Sequence, residues 1–270
     1  MTPPCALKAL VLDWAGTVID HGSRGPVAAF VTCFERHGIA ITEAQARAPM
    51  GRAKRDHIAA LLAMPAIAAG FERRFGRPSR EADIDELYAR FMPIQVQVIE
   101  AHCELIPGAL KAISDCRARG LKVAGTTGYN RVILERVEAR AAAQGYRPDV
   151  CLGADDVSPG RPAPWMALEA LRRLDVWPVS AAVKVDDTPV GVRAGRNAGL
   201  WAIGVTASGN GLGLSVSELA ALTPELRAQR VAASSALHRQ AGAHLCIESL
   251  TGLPAALDSI EARRRAGERP

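Results

Sequence analysis

The sequence predicts an α/β protein, a doubly wound parallel sheet interrupted after its first strand by an inserted helical cap domain. Three observations carry this. Short apolar runs that end on polar residues recur along the chain, and amphipathic helical stretches separate them. Residues 22–104 hold helical periodicity with no convincing strand. The length of 270 residues, with 49% hydrophobic side chains, suffices for a main domain carrying a smaller one.

The strands are expected at Ala9 to Asp13, Leu121 to Thr126, Val150 to Leu152, Ala181 to Asp186 and Leu200 to Val205, with a sixth possible run at His244 to Ile247. Helical patterns over Gly108 to Arg119, Asn130 to Ala143, Ala163 to Leu174 and Val190 to Ala198 alternate with them. Alternation of this kind builds a parallel sheet covered on both faces, with ligands beyond the carboxyl ends of the strands. In the insertion, Ile84, Leu87, Tyr88 and Phe91 follow the i, i+3, i+4, i+7 rule, and Ile58, Leu61 and Leu62 form a shorter stripe. Core residues 1–21 and 105–270 thus flank a cap at 22–104. Gly22, Gly25 and Pro26 at one junction and Pro107-Gly108 at the other suit hinges. The closing segment EARRRAGERP is expected to fray.

Composition excludes several classes. No apolar run approaches the roughly 20 residues that cross a bilayer, and the N-terminus has no signal-peptide pattern, so a cytoplasmic protein without membrane contact is expected. The charge of +5 is dispersed and aromatics make up only 4%, which argues against a nucleic-acid platform. Six scattered cysteines lack zinc-ligand spacing and read as reduced thiols. All but five of the 33 basic residues are arginine, so amine chemistry could fall only to Lys8, Lys54, Lys111, Lys122 or Lys184.

Four strand ends carry polar groups suited to chemistry. LVLDWAGTVID delivers Asp13 to the end of the first strand, ahead of a Gly16-Thr17 turn. GTTGY at 125–129 sets hydroxyls and free N–H groups before a helix, an arrangement that binds phosphate. Gly160-Arg161-Pro162 puts a permanent cation on a constrained loop, and VKVDDTP joins Asp186 to Asp187, which would repel each other without a nearby cation. Singly, each has a plain structural reading as a turn, cap or solvated side chain.

Together these motifs resemble the haloacid dehalogenase superfamily of aspartate-nucleophile phosphotransferases. DWAGT at 13–17, PMG at 49–51 followed by Lys54 and His57, TTGY at 126–129, GRPAPWM at 160–166 and GRNAGLW at 195–201 are similar, within it, to the phosphonoacetaldehyde hydrolase family. The resemblance implies Asp13 as nucleophile, and Mg²⁺ held by Asp13, the Ala15 carbonyl and Asp187, with Asp186 supporting from outside. It implies Arg161 and Thr127, with Gly128, at the phosphoryl oxygens, and a Lys54 Schiff base with the aldehyde of a small phosphonate. It also implies a homodimer formed through the cap helices. Met50 and Gly51 are expected to shape the pocket, while His57 and Tyr129 are candidates for proton relay and aldehyde orientation, with packing roles equally open.

The residue types suit that reaction. Related phosphatases carry an acid two positions after the nucleophile to protonate a leaving oxygen, and here that position is Ala15. A leaving carbon needs an electron sink instead, and an iminium on a lysine supplies one. Arg52, Arg55 and His57 beside Lys54 are expected to lower its pKa. The position four after Asp187, acidic in much of the superfamily, is Gly191. Two other functions stay open at this point: a Mg²⁺-dependent phosphomonoester phosphatase or phosphomutase, which would not need Lys54, and a non-catalytic module on the same fold.

Overall fold

A computed structural model describes residues 7–270, so Cys5 and residues 1–6 of the expected core lie outside the described residues. The described chain forms one six-stranded sheet in the order β3-β2-β1-β4-β5-β6, with every neighbouring pair parallel. The strands are β1 (Ala9–Asp13), β2 (Lys122–Thr126), β3 (Val150–Leu152), β4 (Ala182–Asp186), β5 (Trp201–Val205) and β6 (Leu245–Ile247). All five residues of β1 are buried, as are all those of β4 and β5, because helices cover both faces of the sheet. The strand order reverses at β1, which pairs with β2 on one side and β4 on the other. A crevice therefore opens between the carboxyl ends of β1 and β4.

Five helices follow β1 before the chain returns to the sheet: α1 (Arg24–Arg36), α2 (Glu43–Arg47), α3 (Lys54–Leu62), α4 (Pro65–Phe75) and α5 (Glu81–Ile99). They share an apolar cluster of their own, in which Phe30, Phe34, Ile58, Leu61, Leu87 and Phe91 are buried. Thr42 caps α2 in a reciprocal box with Gln45, and Pro65 opens α4 at a position where its missing N–H costs nothing. The two connections to the sheet lie side by side. Ile19 bridges Leu105, the Asp20 N–H donates to the Glu104 carbonyl at 3.1 Å, and the Ile106 N–H donates to the Val18 carbonyl at 2.8 Å. Gly25 and Pro26, expected in a hinge loop, instead lie in the first turn of α1, where proline fits the helix; Gly22, with φ of 87°, keeps the loop geometry.

The remaining helices are α6 (Ala109–Ala118), α7 (Arg131–Ala143), α8 (Trp165–Leu174), α9 (Pro189–Asn197), α10 (Val216–Ala220), α11 (Pro224–Gln240) and α12 (Leu253–Arg265). On one face Ile113, Ile133, Val137 and Ile260 pack against Leu10, Leu12 and Val123. On the other, Met166, Ala170 and Leu171 of α8 pack against Ala9 and Val11. The C-terminal segment does not fray at Glu261: α12 runs on to Arg265, held by Arg264–Glu261 and Arg263–Glu268 pairs. The described cysteines are all free, and no described helix is long and apolar enough to cross a membrane.

Candidate active site

At the β1–β4 crevice, side-chain oxygens of Asp13, Asp186 and Asp187 lie within 4.8 Å of one another, and all three residues are buried. Strand geometry alone brings them there, since Asp13 ends β1 and Asp186 ends the adjacent β4. Burial, then the charge of Asp186, pushes the Asp13 carboxyl up to about 6 against the pull of Arg161 and Lys184. Burial together with Asp13 and Asp186 pushes Asp187 well above the ordinary carboxylate range. Burial would raise Asp186 too, but Lys184 and Arg161 outweigh it and hold that group down to about 2. Asp187 Oδ2 accepts a 2.7 Å bond from the Asn210 N–H, whereas Oδ1 is buried without any partner. An orphaned oxygen among clustered carboxylates fits a small, hard divalent cation.

The cationic partners are equally buried. Arg161 Nη1 donates to Asp13 Oδ1 at 2.7 Å and lies 3.3 Å from Asp186, while Nη2 donates to the Thr126 carbonyl at 2.8 Å. Lys184, inside β4, sets its ammonium 2.8 Å from Asp186 Oδ2 and 3.0 Å from Thr126 Oγ1. Sequence reasoning assigned Lys184 no role. Its signal was a charged residue in the middle of the otherwise apolar run AAVKV, which only a buried carboxylate would tolerate.

Above this floor lies a narrow cleft, lined from the core by Asp13, Ala15, Thr127, Gly128, Tyr129, Arg161 and Asp187, and from the helical layer by Met50, Gly51 and Lys54. Lys54 is the first residue of α3, buried, with Nζ 5.5 Å from the Phe30 ring centroid and 5.0 Å from that of Tyr129. Its pKa falls to about 8, mainly through burial; Asp13 opposes the shift and Arg161 reinforces it. The direction agrees with expectation but the cause differs, because Arg55 turns outward to Glu81 and Asp85 at 2.7 Å each. Nor does His57 line the cleft. Its ring stacks on Phe30 with centroids 3.8 Å apart, Nε2 donates to the Ala46 carbonyl, and burial followed by the Lys54 charge keeps it neutral.

The helical layer and the core touch closely here. Gly51 has φ of 92°, and a Cβ on it would lie 2.4 Å from Thr188 Oγ1. A Cβ on Gly128 would lie 2.4 Å from the Arg52 carbonyl. Thr127 Oγ1 accepts from the Tyr129 N–H, and the Tyr129 hydroxyl is buried with no partner. Ser23 also lines the cleft, held at φ of 49°. Ala15 lines the cleft as well, with no carboxyl where a leaving-oxygen acid would stand.

A parallel sheet with these acids at the ends of β1 and β4 and a helical layer over them defines a haloacid dehalogenase-like hydrolase, and the model of that family matches residues 7–199. The chain is 43% identical over 264 residues to a phosphonoacetaldehyde hydrolase of Paraburkholderia phytofirmans, covering 98% of this chain and 99% of that one. A phosphonoacetaldehyde hydrolase of Paraburkholderia xenovorans is 42% identical over the same length, with the same coverage. The crystal structure of a phosphonoacetaldehyde hydrolase-like protein from Oleispira antarctica superposes with a TM-score of 0.98 at 38% identity, covering 100% of this chain and 98% of the other. The chain belongs to the phosphonoacetaldehyde hydrolase family, and it is an enzyme of the hydrolase class.

Proposed function

We propose that this enzyme splits the carbon–phosphorus bond of phosphonoacetaldehyde into acetaldehyde and phosphate, with Lys54 forming a Schiff base and Asp13 receiving the phosphoryl group. One observation carries the reading: a buried lysine, its pKa brought down to about 8, lines the same cleft as Asp13. A lysine with that pKa holds a neutral fraction near pH 7 that an ordinary lysine lacks.

The Lys54 amine adds to the aldehyde carbonyl, and loss of water leaves an iminium one carbon away from the carbon bonded to phosphorus. As an Asp13 oxygen bonds to phosphorus, the electrons of the breaking bond flow into the C=N, giving an enamine on Lys54. The enamine takes a proton at carbon, and one water hydrolyses the resulting iminium, freeing acetaldehyde and the amine. A second water hydrolyses the aspartyl phosphate. Arg161 and Thr127 bind the phosphoryl oxygens, which requires the Arg161 fork to exchange part of its grip on Asp13 and Thr126 for substrate. Asp13, the Ala15 carbonyl and Asp187 would hold Mg²⁺, which supplies charge neutralisation for the phosphoryl group, and Asp186 braces them. Helices α1–α5, within 22–104, serve as a cap that carries Lys54 and excludes water.

Nothing in this scheme calls for a general acid at position 15, where the chain has alanine. Borohydride treatment in the presence of phosphonoacetaldehyde should inactivate the protein and add the reduced two-carbon fragment at Lys54, as read by mass spectrometry. Lys54→Ala should lose both the adduct and at least about 10³-fold in kcat/KM. Near-normal turnover by that variant would sink the imine mechanism.

A further inference from the structure

Arg47, at the end of α2, reaches from the helical layer to the core loop that carries Asn210 and Gly213, and none of the chemistry above uses it. Its Nη1 donates to the Gly22 carbonyl at 2.8 Å and to Asn210 Oδ1 at 3.3 Å, and Nη2 donates to the Gly213 carbonyl at 3.1 Å. Asn210 returns the grip, its Nδ2 donating to the Arg47 carbonyl at 3.2 Å. The same Asn210, through its main-chain N–H, holds Asp187 Oδ2 at 2.7 Å. The loop around it is also tied to the neighbouring strand ends, for Ser208 Oγ donates to the Gly16 carbonyl at 3.1 Å and the Gly22 N–H donates to the Ser208 carbonyl at 2.7 Å. Three residues after Arg47, the chain reaches Met50 and Gly51 at the mouth of the cleft.

We infer that Arg47 and Asn210 form a latch that holds the Lys54-bearing helical layer shut, with Arg47 the positioning residue and Asn210 the keeper that links closure to the orientation of Asp187. The fork of arginine suits this role, because a guanidinium can satisfy three acceptors on two separate segments at once, which an ammonium of the same charge cannot do in one plane. By linkage, whatever favours closure favours the Asp187 arrangement, and the reverse. The part of the inference that concerns Lys54 rests on the proposed imine chemistry; the contact between the two layers does not.

The test uses the intact protein, with hydrogen exchange followed by mass spectrometry and Mg²⁺ plus inorganic phosphate as the probe ligands. In the parent protein, exchange over residues 206–215 should slow when the probes are added. In Arg47→Met and in Asn210→Ala, exchange over that segment should speed up about tenfold, and KM should rise about tenfold with kcat changed less than about threefold, because only the closed population binds productively. Arg47→Lys should fall between. The double variant should be no worse than either single one, as expected of two halves of one contact. Circular dichroism and the unfolding midpoint establish that each variant is folded, and if Arg47→Met is not, Asn210→Ala decides. Unchanged exchange with KM within twofold, or losses that multiply in the double variant, overturns the latch. Failure of borohydride capture in the parent protein would instead overturn the imine reading and leave the exchange result standing.

Discussion

A buried ammonium is expensive, and in the proposed mechanism the expense at Lys54 becomes reactivity. Burial against Phe30 and Tyr129 brings its pKa to about 8, so at pH 7 roughly a tenth of the molecules carry a free amine, against well under a thousandth for an ordinary lysine. The rate of borohydride capture should rise about tenfold per pH unit and level off near pH 8; a midpoint above pH 10 would refute the burial account. Stability follows the same shift. The unfolded lysine holds its proton up to about pH 10.4, so between there and about 8 the unfolded chain binds more protons, and stability rises with pH across that window. Below about pH 8 the full penalty stands. Lys54→Met should therefore be inactive yet more stable than the parent at pH 7 by about 1–3 kcal/mol in urea unfolding, and a less stable variant would contradict this. The sequence could suggest the direction, from neighbouring arginines, but not the cause. Which side chains face one another across α3 is set by packing, and packing turned Arg55 toward Glu81 and Asp85.

At the scale of elements, the start of α9 shows how a missing acid is accommodated. Position 191, which the superfamily resemblance implies is often acidic, is glycine, and a Cβ there would lie 2.0 Å from Asp186 Oδ2. The Asp186 carboxylate fills the space that a residue-191 side chain would take. It is fastened there by Lys184 and by the Thr188 hydroxyl, which donates at 2.7 Å while also capping α9 at the Gly191 N–H. Gly191→Ala should expel Asp186, strand Lys184 and cost about 3 kcal/mol in urea unfolding; a loss below about 0.5 kcal/mol would show that the carboxylate is not confined. The strands around this site were readable because each is a short apolar run ending in a polar group. The α11 helix was not, since its buried face includes Ser234, Ser235 and His238 rather than a leucine stripe, and periodicity of hydrophobic residues has nothing to report there. The first turn of α1 was misread for a related reason: Gly25-Pro26 looks like a loop signal, although proline is at home in a first helical turn. Of the site, the residues at strand ends were legible from their motifs, and Lys184 left one unread signal, a charge inside an apolar strand, whereas Arg47 and Asn210 act through partners as much as 166 residues away, which no local pattern encodes.

For the molecule as a whole, the cleft sets stability against function. Folding gathers Asp13, Asp186 and Asp187 at one buried place beside Arg161 and Lys184, where burial first and the neighbouring carboxylates second raise Asp13 and Asp187. A divalent cation completing the cluster should bind the folded state alone and stabilise it by mass action, about 2.7 kcal/mol at a hundredfold excess over its dissociation constant. Asp187→Asn removes a buried carboxyl whose ionised form burial, Asp13 and Asp186 all oppose, while keeping the shape of the side chain and its capacity to accept from the Asn210 N–H. In EDTA that variant should therefore unfold at higher urea than the parent, by about 1–2 kcal/mol, because the burial cost of the carboxyl, and with it the repulsion from Asp13 and Asp186, is relieved. In saturating Mg²⁺ the order should reverse, since the parent gains the binding energy and the variant does not. Urea titrations of both proteins under both conditions read out all four stabilities; an equal response to Mg²⁺ in the two would remove Asp187 from the cation site, and no response in either would remove the cation from the energetics of this fold.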